Sequence, residues 1–291
     1  MTDFIQLLIS GLSIGSIYAL VGLGFIFAIN GVSIVNMAHG EVLMLGAFFA
    51  VTGATVLNLP LIPAYIVGIV GTIIIGYILN LVIIRPLIKK PLFIVMIATI
   101  GLSMALRNTA MNIWGANAVG LDGLFGNQVI NINNIVISYQ NILVIAVLAV
   151  VLLLQSWFFR RTLTGKQLRA MSLRPKVARL LGVPVKKLTY ITIMVSCGLA
   201  GLAGVLMGPI YFVSFSMGSI ALAKGFTATI IGGFGRIEGT VIGGILLGII
   251  ETLMASYVSP TFKDGFAFLV LILILIIKPT GILGEATSQR V

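Results

Sequence analysis

Residues 138–158 read SYQNILVIAVLAVVLLLQSWF, and residues 160–187 follow as RRTLTGKQLRAMSLRPKVARLLGVPVKK. The first stretch has no charged residue and the length, ~20 residues, that a helix needs to cross a bilayer. The second holds nine of the chain's 18 basic residues and no acid. An uncharged span beside a purely basic loop is the pattern the positive-inside rule produces. Working outward, the same alternation recurs along the whole chain. Of 291 residues, 59% are hydrophobic and 9% charged. A soluble domain carries about 25% charge, so an ordinary soluble enzyme and a disordered chain are both excluded. The net charge of +11 would suggest nucleic acid in a soluble protein. Here nine of the 18 basic residues fall in 160–187 and three more at Arg85, Lys89 and Lys90, in loops between spans, and no nucleic-acid partner is expected.

Apolar segments run roughly over 4–29, 41–58, 61–84, 92–113, 138–158, 188–208, 217–235, 239–258 and 264–278. The fold class that follows is all-α: a polytopic transmembrane helical bundle of eight or nine spans, with possible broken or re-entrant helices, as one transmembrane domain over 1–291 with a loop at 160–187. Segment 217–235 contains Lys224 and ends in Gly232-Gly233-Phe234-Gly235, which admits a broken or re-entrant helix. The basic loops 85–91, with Arg85, Lys89 and Lys90, and 160–187 are expected inside. Loop 114–137, whose one charge is Asp122, is expected outside, and so is the N-terminus. That N-terminus lacks the basic region of a signal peptide. Cys197, the one cysteine, forms no internal disulfide.

In lipid, helices associate through close backbone approach rather than through a hydrophobic drive. Gly11, Gly15 and Ala19 line one helical face; Gly198, Gly201, Gly204 and Gly208 line another. Gly239 with Gly243, and Gly244 with Gly248, are further small-residue pairs. Tight packing explains them, and so does sliding during transport. No convincing internal repeat is present.

One histidine and one cysteine do not build a four-ligand zinc, haem or iron–sulfur site, so no metal or cofactor is expected in this chain. Gly165-Lys166 lacks the upstream glycine and the following Ser or Thr of a P-loop. If the chain moves a solute uphill, the energy comes from an ion gradient or from another subunit, and no catalytic residue stands out.

Ionisable groups at membrane depth are costly and mark functional candidates. Asn36, His39 and Glu41 place an amide, an imidazole and a carboxylate within Asn36-Met37-Ala38-His39-Gly40-Glu41, with Gly40 permitting an irregular backbone. Two readings stand: a kink lining the solute path, or a turn whose polar side chains are solvated. Lys224 and Glu251 each fall inside an apolar segment, and a mutual pair is the economical arrangement, as a structural bridge or as a gate. Arg107, near the end of segment 92–113, is expected to snorkel to the interface. Trp114 and Trp157 suit an aromatic belt.

Within the basic loop, Pro175 suits a first helical turn. Gly182 follows Leu181 as a stop, with Pro184 just beyond. A short helix at about 175–181 results, with Val177, Ala178, Leu180 and Leu181 as its apolar part. So short a helix is unstable alone. It lies on anionic lipid headgroups through its basic residues, or it docks into a groove on a partner.

Taken together, these stretches resemble the permease subunits of Liv-type branched-chain amino acid ABC importers. The resemblance rests on GLSIGSIYALVGLGF at 11–25 and NMAHGEVLMLGAF at 36–48. It extends through LAKGFTATIIGGFGRIEGTVIGGILLGIIETL at 222–253 and FKDGFAFLVLILILIIKPTGILG at 262–284. It covers nearly the whole chain. It implies a multi-pass protein of the bacterial plasma (inner) membrane, working by alternating access. The implied partners are a second, related permease, two ATP-binding cassette ATPases that hold the ATP and magnesium, and an extracytoplasmic solute-binding protein. The implied substrates are leucine, isoleucine and valine, or related amino acids, amides or urea. Pro175, Val177, Ala178, Leu180, Leu181 and Gly182 then match the helix that couples to the ATPase, and Asn36, His39, Gly40 and Glu41 the translocation path. The chain departs from the family at Arg174-Pro175-Lys176-Val177-Ala178, where Lys176 stands at an often acidic position. The rival from another class is an ion-coupled secondary transporter using Glu41, His39 or Lys224 as a proton relay.

Overall fold

The computed structural model describes residues 2–284 except 88–89, 127, 133–134 and 174. Lys89 and Arg174, both expected in basic loops, lie outside the described residues. Among the described residues nine apolar helices occupy the nine apolar segments: α1 (Thr2–Val32), α2 (His39–Thr55), α3 (Leu61–Leu79), α5 (Leu92–Trp114), α6 (Tyr139–Arg161), α9 (Val185–Tyr211), α10 (Met217–Gly232), α11 (Ile237–Tyr257) and α12 (Lys263–Ile277). Among the described residues six are long and apolar enough to cross a membrane; α2, α10 and α12 are shorter. The remaining elements among the described residues are a π segment (Asn80–Ile84), α4 (Arg85–Leu87), α7 (Leu163–Leu173), α8 (Pro175–Leu180) and a hairpin of β1 (Val129–Ile132) and β2 (Ile135–Ser138).

The chain forms two compact units. One draws on residues 1–26, 127–152 and 223–291. Its packing runs along small residues: Gly15 lies against the backbone of Gly244 and Ile245, and Gly11 against Ile249. Tyr18, Ala228, Ile231, Leu247 and Ala267 form its buried core. The other unit draws on 27–126 and 153–222. There α2, α3 and α9 pack on one another and α5 leans on α2. Gly46 lies against Gly201 and Thr72, and Gly68 against the Gly46 carbonyl, so the backbones approach closely without a side chain between them.

The end of α3 shows local sequence shaping a helix. Pro86 has no N–H for the Val82 carbonyl, and its ring crowds that carbonyl. The chain answers with a π turn at Asn80–Ile84, in which the Arg85 N–H reaches the Asn80 carbonyl. The turn leaves Asn80 fully buried.

Candidate functional site

The irregular stretch before α2 is buried. Ser33 has φ +55°, and the chain stays non-helical until His39. Its backbone groups are met by side chains: the Ala38 N–H donates to Asn36 Oδ1 at 3.0 Å, and the Met37 N–H donates to Thr99 Oγ1 at 3.1 Å. The His39 N–H donates to the Asn36 carbonyl at 3.3 Å. Irregular backbone at membrane depth survives only when protein satisfies it in this way. Asn36 is 5% exposed, and His39 and Glu41 1% each. That burial removes the solvated-turn reading.

Glu41 sits in the first turn of α2, where a carboxylate suits the positive end of the helix. Its Oε1 accepts from Ser103 Oγ at 3.1 Å and from Arg107 Nη2 at 2.7 Å. Thr99, Ser103 and Arg107 recur every four residues along α5, so one helical face serves the whole polar stretch. Ser103 is the central residue of α5, a helix long enough to cross a membrane. Glu41 is thus held at the midpoint of a span. Arg107 does not snorkel to the interface as expected; pairing with a buried carboxylate outweighs hydration of a guanidinium only one turn further out. Glu41 Oε2 and Arg107 Nε are buried and make no hydrogen bond. His39 Nδ1 lies 3.5 Å from Ser196 Oγ on α9.

The start of α10 meets this stretch. A Cβ on Gly218 would lie 2.5 Å from the Gly40 carbonyl oxygen and 2.7 Å from Glu41 Oε2. A Cβ on Gly40 would in turn run into the Gly218 carbonyl. Only glycine at both positions lets the two first turns touch. Two short helices, of 17 and 16 residues, therefore begin side by side at Glu41, each presenting first-turn N–H groups with no partner inside its own helix.

The other unit holds a second charge cluster. Lys224 Nζ lies 2.8 Å from Glu251 Oε2 and 2.8 Å from Asp264 Oδ1. The Tyr18 hydroxyl donates to Glu251 Oε1 at 3.2 Å, and the ammonium lies 5.9 Å from the Tyr18 ring centroid, within cation–π range. Lys224 and Glu251 are buried, whereas the Asp264 side chain is 53% exposed. Sequence reasoning anticipated neither Asp264 nor Tyr18. A lone acid at a helix start announces only a favourable dipole contact.

The basic loop carries two helices where the sequence suggested one. α7 buries Leu168 and Met171, and Arg169 donates to the Phe159 carbonyl. α8 ends in paired bonds, Val183 N–H to the Ala178 carbonyl and Gly182 N–H to the Arg179 carbonyl, both 3.1 Å. Gly182 has φ +78°, the Schellman arrangement that favours glycine. Ala178 is buried against its own chain, while Leu173, Leu180 and Leu181 are 81%, 87% and 77% exposed. Val177 is also exposed.

The family described as the branched-chain amino acid transport system / permease component matches residues 7–275. The high-affinity branched-chain amino acid transport system permease protein LivH of Escherichia coli is 32% identical, covering 99% of this chain and 98% of that one. BraD of Pseudomonas aeruginosa, of the same description, is 35% identical with the same coverage. Among solved structures, PsaBC from Streptococcus pneumoniae in complex with Fab aligns with a TM-score of 0.49 at 18% identity, covering 95% of this chain and 92% of that one. With the full-length match and the helical architecture in agreement, the chain belongs to the family of branched-chain amino acid transport permeases and is a multi-pass membrane protein.

Proposed function

We propose that this chain is the permease subunit of an ATP-driven importer of leucine, isoleucine and valine, working by alternating access. The observation that carries the solute path is the Glu41–Arg107 pair at the middle of a span, beside the abutting starts of α2 and α10. An α-amino acid is a zwitterion. Its ammonium suits the unused Glu41 Oε2, and its carboxylate suits the unused Arg107 Nε. Asn36, His39 and Gly40 complete the path. The Gly40–Gly218 contact is the closed position, and separation of these backbones opens it.

ATP is hydrolysed by two separate ATPase subunits, which hold the magnesium and nucleotide; this chain takes no cofactor and performs no catalysis. Exposed Leu180 on α8 and Leu181 just after it support docking to such a subunit, because apolar side chains presented beside a basic loop are covered in an assembled protein. Pro175 opens α8 and the Gly182 stop fixes its length. A second, related permease and an extracytoplasmic solute-binding protein complete the importer.

The test is purification of the assembled complex in mild detergent, followed by uptake in liposomes. ATP-dependent accumulation of leucine that requires the binding protein is the expected result. Glu41→Gln is expected to lower that uptake by about tenfold, the effect of losing one charge-assisted hydrogen bond. Gradient-driven leucine flux by this chain alone would overturn the reading in favour of a secondary transporter.

A further inference from the structure

A cavity of about 240 Å³ opens on the side of the basic loops, lined by Asn80, Arg85, Arg179, Val185, Lys186, Thr189 and Tyr190. It belongs wholly to the unit formed by 27–126 and 153–222. Three of its side chains are cationic and none is acidic. Arg85 comes from the turn after the π segment, Arg179 from α8 and Lys186 from the first turn of α9. Among the described residues none of the three makes an ion pair with an acid. Arg85 Nη1 donates to the Tyr190 hydroxyl at 3.5 Å, which leaves that hydroxyl's own proton available. At the floor, Asn80 is fully buried, and neither its Nδ2 nor its Oδ1 has a hydrogen-bond partner. A buried, unsatisfied amide is costly, and this one needs at least one acceptor and one donor to be satisfied.

We infer that this cavity binds a phosphate ester with a hydroxyl or amine beside the phosphate, as a glycerophosphate head group has. The phosphate answers Arg85, Arg179 and Lys186, and it accepts from Asn80 Nδ2; the neighbouring hydroxyl donates to Asn80 Oδ1. Bound there, the anion ties α8 to the end of α3 and the start of α9, and so holds the helix that ends in Leu180. Two sources offer this chemistry: an anionic phospholipid of the surrounding leaflet, and a soluble glycerol phosphate. Exposed Leu81 and Val82, on the π segment beside Asn80, offer acyl chains a surface.

The assembled importer, purified in detergent with phosphatidylglycerol and phosphatidylcholine at equal amounts, tests this by native mass spectrometry. The wild type is expected to retain phosphatidylglycerol in preference. Arg179→Gln and Lys186→Gln each weaken retention by about tenfold. Asn80→Leu weakens it without any change of charge, which diffuse attraction to a basic surface would not do. Lys186 is exposed, so its variant folds even if the Asn80 variant does not. Displacement of the lipid by millimolar glycerol phosphate assigns the site to the soluble source; retention against it assigns the site to the lipid. Equal retention by the wild type, Lys186→Gln and a folded Asn80→Leu overturns the inference.

Discussion

At the scale of single residues, the clearest relationships join positions far apart in the chain. Glu41 finds Arg107, and Lys224 finds both Glu251 and Asp264. The sequence made Glu41, Lys224 and Glu251 stand out, because charge inside an apolar segment is costly. It did not reveal Arg107 or Asp264 as partners: Asp264 opens a helix, where an acid is ordinarily tolerated, and the long side chain of Arg107 reads as able to reach the interface by itself. The Lys224 cluster gives a stability prediction. Lys224→Met leaves the buried Glu251 carboxylate without its cation and is expected to destabilise the protein by about 3–5 kcal/mol. Lys224→Met with Glu251→Gln is expected to recover part of that loss, read as thermal unfolding in detergent. Additive losses would count against the pair. Gly218→Ala tests the other site: its methyl meets the Gly40 carbonyl, so leucine uptake is expected to fall sharply while the amount of protein in the membrane holds.

At the scale of elements, the nine apolar helices were legible to within a few residues, since a span must satisfy its backbone internally and be apolar throughout. α7 was not, because its buried Leu168 and Met171 are sparse among polar and basic residues. The β1–β2 hairpin was also missed, although Val-Ile-Asn-Ile and Ile-Val-Ile-Ser on either side of two asparagines carry a strand signal. α8 was read correctly from Pro175 and Gly182, but the inward face of Ala178 is a tertiary fact. Leu181→Asp puts a charge where an apolar partner surface is expected, and Gly182→Pro removes both the N–H and the positive φ of the cap. Both are expected to leave ATP hydrolysis running while leucine uptake is lost. Wild-type uptake by both variants would refute the docking role of α8.

At the scale of the whole molecule, the alternation of apolar spans and basic loops sets the orientation. The expected result of maleimide labelling in intact cells is clear. A cysteine at Val177 is reached only after the membrane is made permeable, and a cysteine at Asp122 is reached from outside. Cys197 is 1% exposed, so the unmodified chain is expected to give no background. Labelling of both sites from the same side would invert the assignment. What the sequence left open was how segment 217–235 is used. It reads as a broken or re-entrant helix and segment 41–58 as an ordinary span, and the structure shows α2 and α10 starting against each other at Gly40 and Gly218.

The π turn at Asn80–Ile84 amounts to one residue more than an α-helix has room for. A helix that has absorbed such an insertion can also lose it. Because the wide turn takes up its extra residue in place, the residues beyond it keep the faces an uninterrupted helix would give them, and Arg85 meets the Tyr190 hydroxyl from the same side either way. Among natural variants of this chain, the segment can therefore be one residue shorter where no proline follows it, and the basic cavity survives the loss.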